Sequence, residues 1–383
     1  MTNKIKSFYS LSSNNCSLVV DCRGYAPVIL YWGSRLANTT SPDMLALLAT
    51  SQELQASLPQ ETPIGLSPQS AAGFSGSPGV QLHRDGLQWA VYTRIESVSL
   101  IDNKLTIVSI CQSTQTQLIH CLALDHKTDV LAATTEIVNI GESSLWLDRC
   151  DAPCVPIPNH YSKILSFSGR WGNEFQLESI DRYMGAYVRE NRSGRTSHDS
   201  FPGVIVHPEQ TNESSGSVYG LHLGWSGNHH VRVEQQFTGQ AYAQLGELFL
   251  PGEMLLEPGQ AYKSPVLFGA STDKGLSALS GAFHRYVRAK LTDRRITNKI
   301  RPVHFNTWEA VYFDLSLERL CTLADHAREV GAERFVLDDG WFKNRKSDNA
   351  GLGDWTVDET VFPAGLAPLI NHVHKNDMEF GLW

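Results

Sequence analysis

The hydrophobic pattern changes once along this 383-residue chain, near residue 270, and that change limits the fold more than any other feature. From about Ser17 to Phe268 the chain reads as short runs rich in β-branched residues: "SLVVDC", "PVILYWG", "LTIVSICQ", "LIHCLAL", "TTEIVNI" and "HVRVEQQF". Between them lie "DNK", "GESS", "NESSGS" and "SGN", which are turn chemistry. Many short strands with little helical periodicity predict an all-β sandwich. One helix is expected inside it, from Met44 to Leu58, where Leu45, Leu48, Leu54 and Leu58 fall at near-helical spacing. After residue 270 helices alternate with strands. Lys274 to Lys290 has a 3.6-residue period and reads as a linker helix. "RPVHFNTW", "ERFVLDDGW" and "MEFGLW" read as strands, separated by helical segments. The alternation predicts βαβ units and a parallel sheet. The expected organisation is a β domain over 1–273, a linker helix over 274–300 and an α/β region over 301–383.

A complete (β/α)₈ barrel takes about 250 residues, and only about 80 follow Arg301, so the α/β region is expected to be part of a longer fold. In parallel α/β folds, ligands meet the carboxyl ends of the strands, where the loops converge. The first strand ends in Asn306, Trp308 and Glu309, the second in Asp338, Asp339 and Trp341, and the third in Trp383. Adjacent carboxylates repel one another and resist desolvation, so Asp338 and Asp339 need a reason to follow an apolar run. Three readings remain open on local grounds. Carboxylates beside an aromatic plate suit a pyranose, whose hydroxyls donate to the acids while its C–H face lies on a ring. Asp-Asp-Gly is also good turn chemistry, and hard cations favour paired carboxylates. The following loop, with Arg345, Asp348, Asp354 and Trp355, is long enough to form a wall or lid.

Charge and composition exclude several classes. A net charge of −8 without a basic block leaves no electrostatic footprint for nucleic acid or an acidic membrane surface. No apolar run reaches the length of a membrane span, and the first residues lack the apolar core of a signal peptide. The seven cysteines are odd in number and without paired spacings, and Cys150 and Cys154 have no second pair to complete a zinc set. Reduced thiols in a cytoplasmic protein are therefore expected, with no metal and no cofactor, and the sequons at Asn38, Asn191 and Asn212 would be silent. His229 and His230 alternate across a strand, His372 and His374 diverge on a helix, and Glu309 is expected to be structural.

Several long stretches carry a resemblance. "FNTWEAVYFD", "FVLDDGWF" with Arg345 three residues on, "LGDWTVDET" before "FPAGL", and "FGLW" resemble the opening of the barrel in the α-galactosidases of glycoside hydrolase family 36. "YWGSRL", "FSGRWGNEF", "SGRTSHDSFP" and "GWSGNHHVRVE" are similar to that family's β-rich half, in the same order. The resemblance implies an N-terminal β-supersandwich followed by the first three strands of a truncated (β/α)₈ TIM barrel, in an enzyme that is often a tetramer. It implies that Asp338 and Asp339 bind the axial O4 and the O6 of a terminal galactose. Trp308 would line the same pocket, and Trp171 would reach a site, in some members that of a neighbouring subunit. The segment "GFSGSPGV" lacks the aspartate some members carry there, so it inherits no role. The implied activity is retaining hydrolysis of α-galactosides of the melibiose or raffinose type. Retention needs two carboxyl groups about 5–5.5 Å apart on facing strand ends. Adjacent residues on one strand cannot straddle a glycosidic bond, and the family places its nucleophile and acid/base on later strands. No catalytic residue is therefore assigned in this chain. The alternatives are a non-catalytic galactoside-binding fragment and a raffinose synthase-like transglycosylase.

Overall fold

The computed structural model describes residues 7–37, 40–48, 50 and 62–383. It divides into two compact units, Met1–Thr292 and Asp293–Trp383. The expected helix from Met44 is present as Pro42–Leu48; residues 51–58, its second half, and the sequon at Asn38 lie outside the described residues.

The first unit is built from antiparallel sheets. In Lys104–Cys111 and Thr116–Leu124, buried and partly exposed residues alternate strictly, so one face of each strand meets the core. The "DNK" turn joins Arg94–Ile101 to Lys104–Cys111, with Asp102 and Asn103 at φ 49° and 59°. Two successive left-handed residues are what a tight two-residue hairpin requires. Asn103 also donates to the carbonyls of Ser12 (3.0 Å) and Leu124 (2.6 Å), tying the hairpin to the strand Phe8–Ser12.

The largest sheet has ten strands, and its spine runs Val218–Gly224, Val266–Thr272, Val130–Asn139, Thr116–Leu124 and Lys104–Cys111. A four-stranded sheet and two three-stranded sheets accompany it. One core draws Leu105, Leu122 and Leu131 from the large sheet, Leu18 and Val20 from a three-stranded sheet, and Val231 and Leu245 from the four-stranded sheet. Apolar residues from separate sheets sharing one core make this a layered sandwich, and each such side chain contributes about 1.5–3 kcal/mol of burial. The helix Gly275–Tyr286 buries Leu279 and Ala282 against Val130, Val218 and Ala270 of the same sheet. The chain passes from the first unit to the second between Thr292 and Asp293, within the 274–300 segment.

The second unit holds three parallel strands, His304–Asn306, Arg334–Leu337 and Glu379–Leu382, hydrogen-bonded in that order. Parallel neighbours need crossovers, and helices Leu317–Glu329 and Ala367–Lys375 provide them. The Ser316 side chain caps the first helix by accepting from the Arg319 N–H. Beyond that helix, Gly331 at φ 90° turns the chain toward the next strand. Phe335 and Leu337 face these helices and join Leu320, Ala324, Leu369 and Val373 in one core. Arg334 and Val336 alternate to the opposite face. There Arg334 and Lys299 pair with Glu379, the latter at 2.7 Å, and their hydrogen bonds, with that of Lys299 the larger cause, hold the Glu379 carboxyl down to about 2.

Candidate functional site

The strand Arg334–Leu337 delivers Asp338 and Asp339 directly from its carboxyl end. Its neighbour, His304–Asn306, delivers Asn306, Thr307 and Trp308 beside them. Polar groups lace the two strand ends together. The Asn306 side-chain amide donates to Asp338 Oδ2 at 2.5 Å, while its Oδ1 accepts the Trp308 N–H at 2.7 Å. The Asp338 N–H donates to Thr307 Oγ1 at 2.9 Å, and Thr307 is almost fully buried. Asp338 Oδ1 accepts the N–H of Asp339 at 2.7 Å. The Asp338 carboxylate is partly exposed, held by two donors, and faces away from the helices, as Arg334 and Val336 do.

Asp339 is in a different environment, with only 6% of its surface exposed. Arg345 meets it as a fork, Nε to Oδ1 at 2.8 Å and Nη2 to Oδ2 at 2.7 Å. The Gly340 N–H adds a third bond to Oδ1 at 2.9 Å, and Gly340 takes φ 92° to make that turn. Arg345 is itself 6% exposed, and its Nη1 donates to the carbonyls of Asp348 (2.9 Å) and Ala350 (3.0 Å). A planar guanidinium with five donors can hold a carboxylate and a loop at once. Asp-Asp-Gly does act as a turn: Gly340 makes it, and Arg345 compensates the buried carboxylate. Among the described residues, no group of three or more His, Cys, Asp or Glu side chains gathers as a metal site would require.

Aromatic rings border the acids. Trp308 sits edge-on to Tyr312 and Phe313, with centroids 5.2 and 5.0 Å away. Trp341 is buried and donates its Nε1–H to the Trp383 carbonyl at 2.9 Å. Trp355, on the long loop, and Trp383 remain about half exposed and lie 5.8 Å apart. Asp338, Asp339 and Trp308 thus share one end of the parallel sheet. Trp171 belongs to the first unit, at the turn between strands Lys163–Arg170 and Asn173–Asp181, and 85% of it is exposed.

The remaining candidates have local partners. His230 Nε2 lies 2.7 Å from Asp151 Oδ1, whereas His229 Nε2 faces Ser200 Oγ at 3.4 Å, so the two rings point to different places. His372 is not merely a surface residue: its Nε2 lies 2.7 Å from Asp325 of the other helix. Glu309 accepts from the Tyr312 hydroxyl at 2.8 Å. Cys150 and Cys154 are buried, and burial pushes both thiols well above their ordinary range, so they pack as neutral groups. Sequence reasoning missed Thr307 and the pairing of Arg345 with Asp339. Arg345 was visible only as a loop residue six positions after the second acid, and nothing local in the sequence marked the pairing.

Residues 25–257 match the family described as Glycosyl hydrolase family 36 N-terminal domain, and residues 261–383 match Melibiase. An Escherichia coli α-galactosidase is 36% identical over 379 residues, spanning 99% of this chain and 53% of that protein. The α-galactosidase Mel36A of Lactobacillus acidophilus is 33% identical over 254 residues, 66% of this chain and 35% of its own length. The chain therefore spans about half or less of these curated relatives. Among solved structures, the family 36 α-galactosidase AgaA of Geobacillus stearothermophilus, in complex with raffinose, superimposes with a TM-score of 0.89 at 25% identity. The match covers 98% of this chain and 56% of that one. The galactosidase domain of the α-galactosidase–sucrose kinase AgaSK superimposes with a TM-score of 0.88 at 25% identity, over 100% of this chain and 57% of that one.

Proposed function

The chain belongs to glycosyl hydrolase family 36, and on that premise we propose that it forms the galactose-recognising portion of an α-galactosidase. The observation that carries this reading is the oriented acid pair at the parallel strand ends, with Trp308 beside it. Hydroxyls of a terminal galactose donate to the carboxylates, and charge-assisted bonds of this kind are about twice as strong as neutral ones. The aromatic rim takes the apolar face of the sugar. The substrates are α-galactosides of the melibiose and raffinose type, cleaved by double displacement.

Asp338 and Asp339 recognise and do not cut. Their adjacency on one strand rules out the opposed placement that a nucleophile and an acid/base require. We assign those two roles to carboxylates on other strands of the same barrel. In this reading the three parallel strands open a (β/α)₈ barrel, and the antiparallel unit is the β-supersandwich of the family. The exposed Trp171 supports a role at a site contributed across subunits of a homo-oligomer, a tetramer in this proposal. The seven unpaired thiols support a cytoplasmic location.

The test is hydrolysis by the full-length enzyme of an aryl α-galactoside, with the matching α-glucoside as control. Release of phenol from the galactoside alone is expected. No release from either substrate overturns the activity, and transfer to an added sucrose acceptor in place of hydrolysis would redefine it as a transglycosylase.

A further inference from the structure

We infer that Arg345 and Asn306 are positioning residues that leave the two aspartates unequal, with Asp338 the principal acceptor for the sugar and Asp339 a fixed, secondary one. The inference rests on the galactose-recognition reading above.

An ionised carboxylate offers about four acceptor positions, two on each oxygen. On Asp339, Oδ1 is filled by Arg345 Nε and the Gly340 N–H, and Oδ2 already holds Arg345 Nη2. One position remains, on a carboxylate that is 6% exposed. On Asp338, Oδ1 holds the Asp339 N–H and Oδ2 holds the Asn306 amide, so among the described residues each oxygen keeps one position free. Its carboxylate is also the more accessible of the two. Two hydroxyls on one edge of a pyranose therefore meet Asp338 first, and Asp339 supplies at most one further acceptor.

The supports differ in kind. Asn306 spans two strands, since its Nδ2 fixes Asp338 while its Oδ1 fixes the Trp308 backbone. It sets the acid and the aromatic plate in one geometry. Arg345 uses Nε and Nη2 on Asp339 and Nη1 on the carbonyls of Asp348 and Ala350. It therefore couples the inner acid to the loop that carries Trp355. A lysine offers one compact charge and cannot reproduce the fork together with two carbonyl bonds.

The test uses the full-length enzyme and an aryl α-galactoside. Arg345→Lys is expected to raise KM about tenfold, a loss of about 1.4 kcal/mol of binding, with kcat within about twofold. Arg345→Ala should raise KM further, and added guanidinium should recover part of the loss. Asn306→Ala should raise KM severalfold, and Asn306→Asp, which sets an anion against Asp338, should raise it more. Folded Arg345→Lys with an unchanged KM overturns the inference, as does a fall in kcat at constant KM. Should Arg345→Ala fail to fold, Arg345→Lys and the Asn306 pair still decide. An unaltered enzyme that neither cleaves the galactoside nor binds galactose would refute the parent reading. An active enzyme whose Arg345→Lys variant keeps its KM would refute this inference alone.

Discussion

Asp151 in the β-rich unit and Asp339 in the α/β unit are both buried carboxylates paired with a basic side chain. Asp151 lies 2.7 Å from His230 Nε2, and Asp339 lies 2.7 Å from Arg345 Nη2. Their surroundings differ. His230 faces Gly246 across the strand pair, and a methyl group on Gly246 would come within 2.3 Å of Asp151 Oδ1. That pair is sealed beneath backbone, and neither Asp151 Oδ2 nor His230 Nδ1 has a hydrogen-bond partner among the described residues. Asp339 instead adjoins the partly exposed Asp338, at a strand end rimmed by tryptophans. A buried acid–base pair is thus not by itself a site. What separates the two is an open neighbour with acceptor positions left over.

The largest expected effect is on Asp338. Asp338→Asn changes the acceptor with two open positions, and two charge-assisted bonds at about 1.5–3 kcal/mol each would cost kcat/KM a hundredfold or more. Steady-state kinetics on the aryl galactoside checks this; a loss under tenfold would erase the distinction between the two acids.

Acid should then separate the units by pH window. Burial holds the His120 imidazole down to about 4, and desolvation lowers His222 and His229 as well. Such groups stay neutral when folded but take up protons when unfolded. Stability of the β-rich unit is therefore intact above about 6.5 and declines as pH falls toward 4, by roughly 3 kcal/mol for His120 at about 1.4 kcal/mol per pH unit. Glu379 has the opposite sense. Its depressed value adds stability above the ordinary glutamate value of 4.5, which is lost only as pH falls toward 2. Hydrogen exchange across an acid series should show the first unit losing protection before the second, and the reverse order would contradict these assignments.

A smaller effect tests the seal around Asp151. Gly246→Ala should destabilise the β-rich unit by about 1–3 kcal/mol, as overpacking does, while KM for the galactoside stays unchanged. Denaturant unfolding and kinetics on one preparation decide it, and a shifted KM would mean that the sealed pair is not silent. The smallest effect belongs to Trp171, which is 85% exposed. Trp171→Ala should leave unfolding unchanged within about 0.5 kcal/mol but raise KM for the galactoside, and an unchanged KM would contradict its place at a site.

Much of this was legible in the sequence because it is local. Runs such as "LTIVSICQ" are rich in β-branched residues, "DNK" supplies the left-handed pair for its hairpin, and Gly331 marks the end of a helix. The acids at the end of "RFVL" announced a strand mouth. Long-range pairings were not legible. Nothing in the composition says that His230 meets Asp151, 79 residues earlier, or that Asp325 of one helix meets His372 of another. Arg345 was visible as a loop residue, but its fork onto Asp339 depends on how the loop folds back, and spacing does not encode that. Similarly, the packing of Gly275–Tyr286 on the large sheet follows from which apolar face finds Val130 and Val218, so periodicity alone read it only as a linker.

The central claim is that Asp338 selects galactose, and calorimetric titration of the full-length enzyme tests it most directly. Galactose should bind, glucose, its C4 epimer, should not, and Asp338→Asn should lose the galactose signal while the protein stays folded. Equal binding of the two sugars, or an Asp338→Asn variant that binds galactose as the unaltered enzyme does, would contradict it.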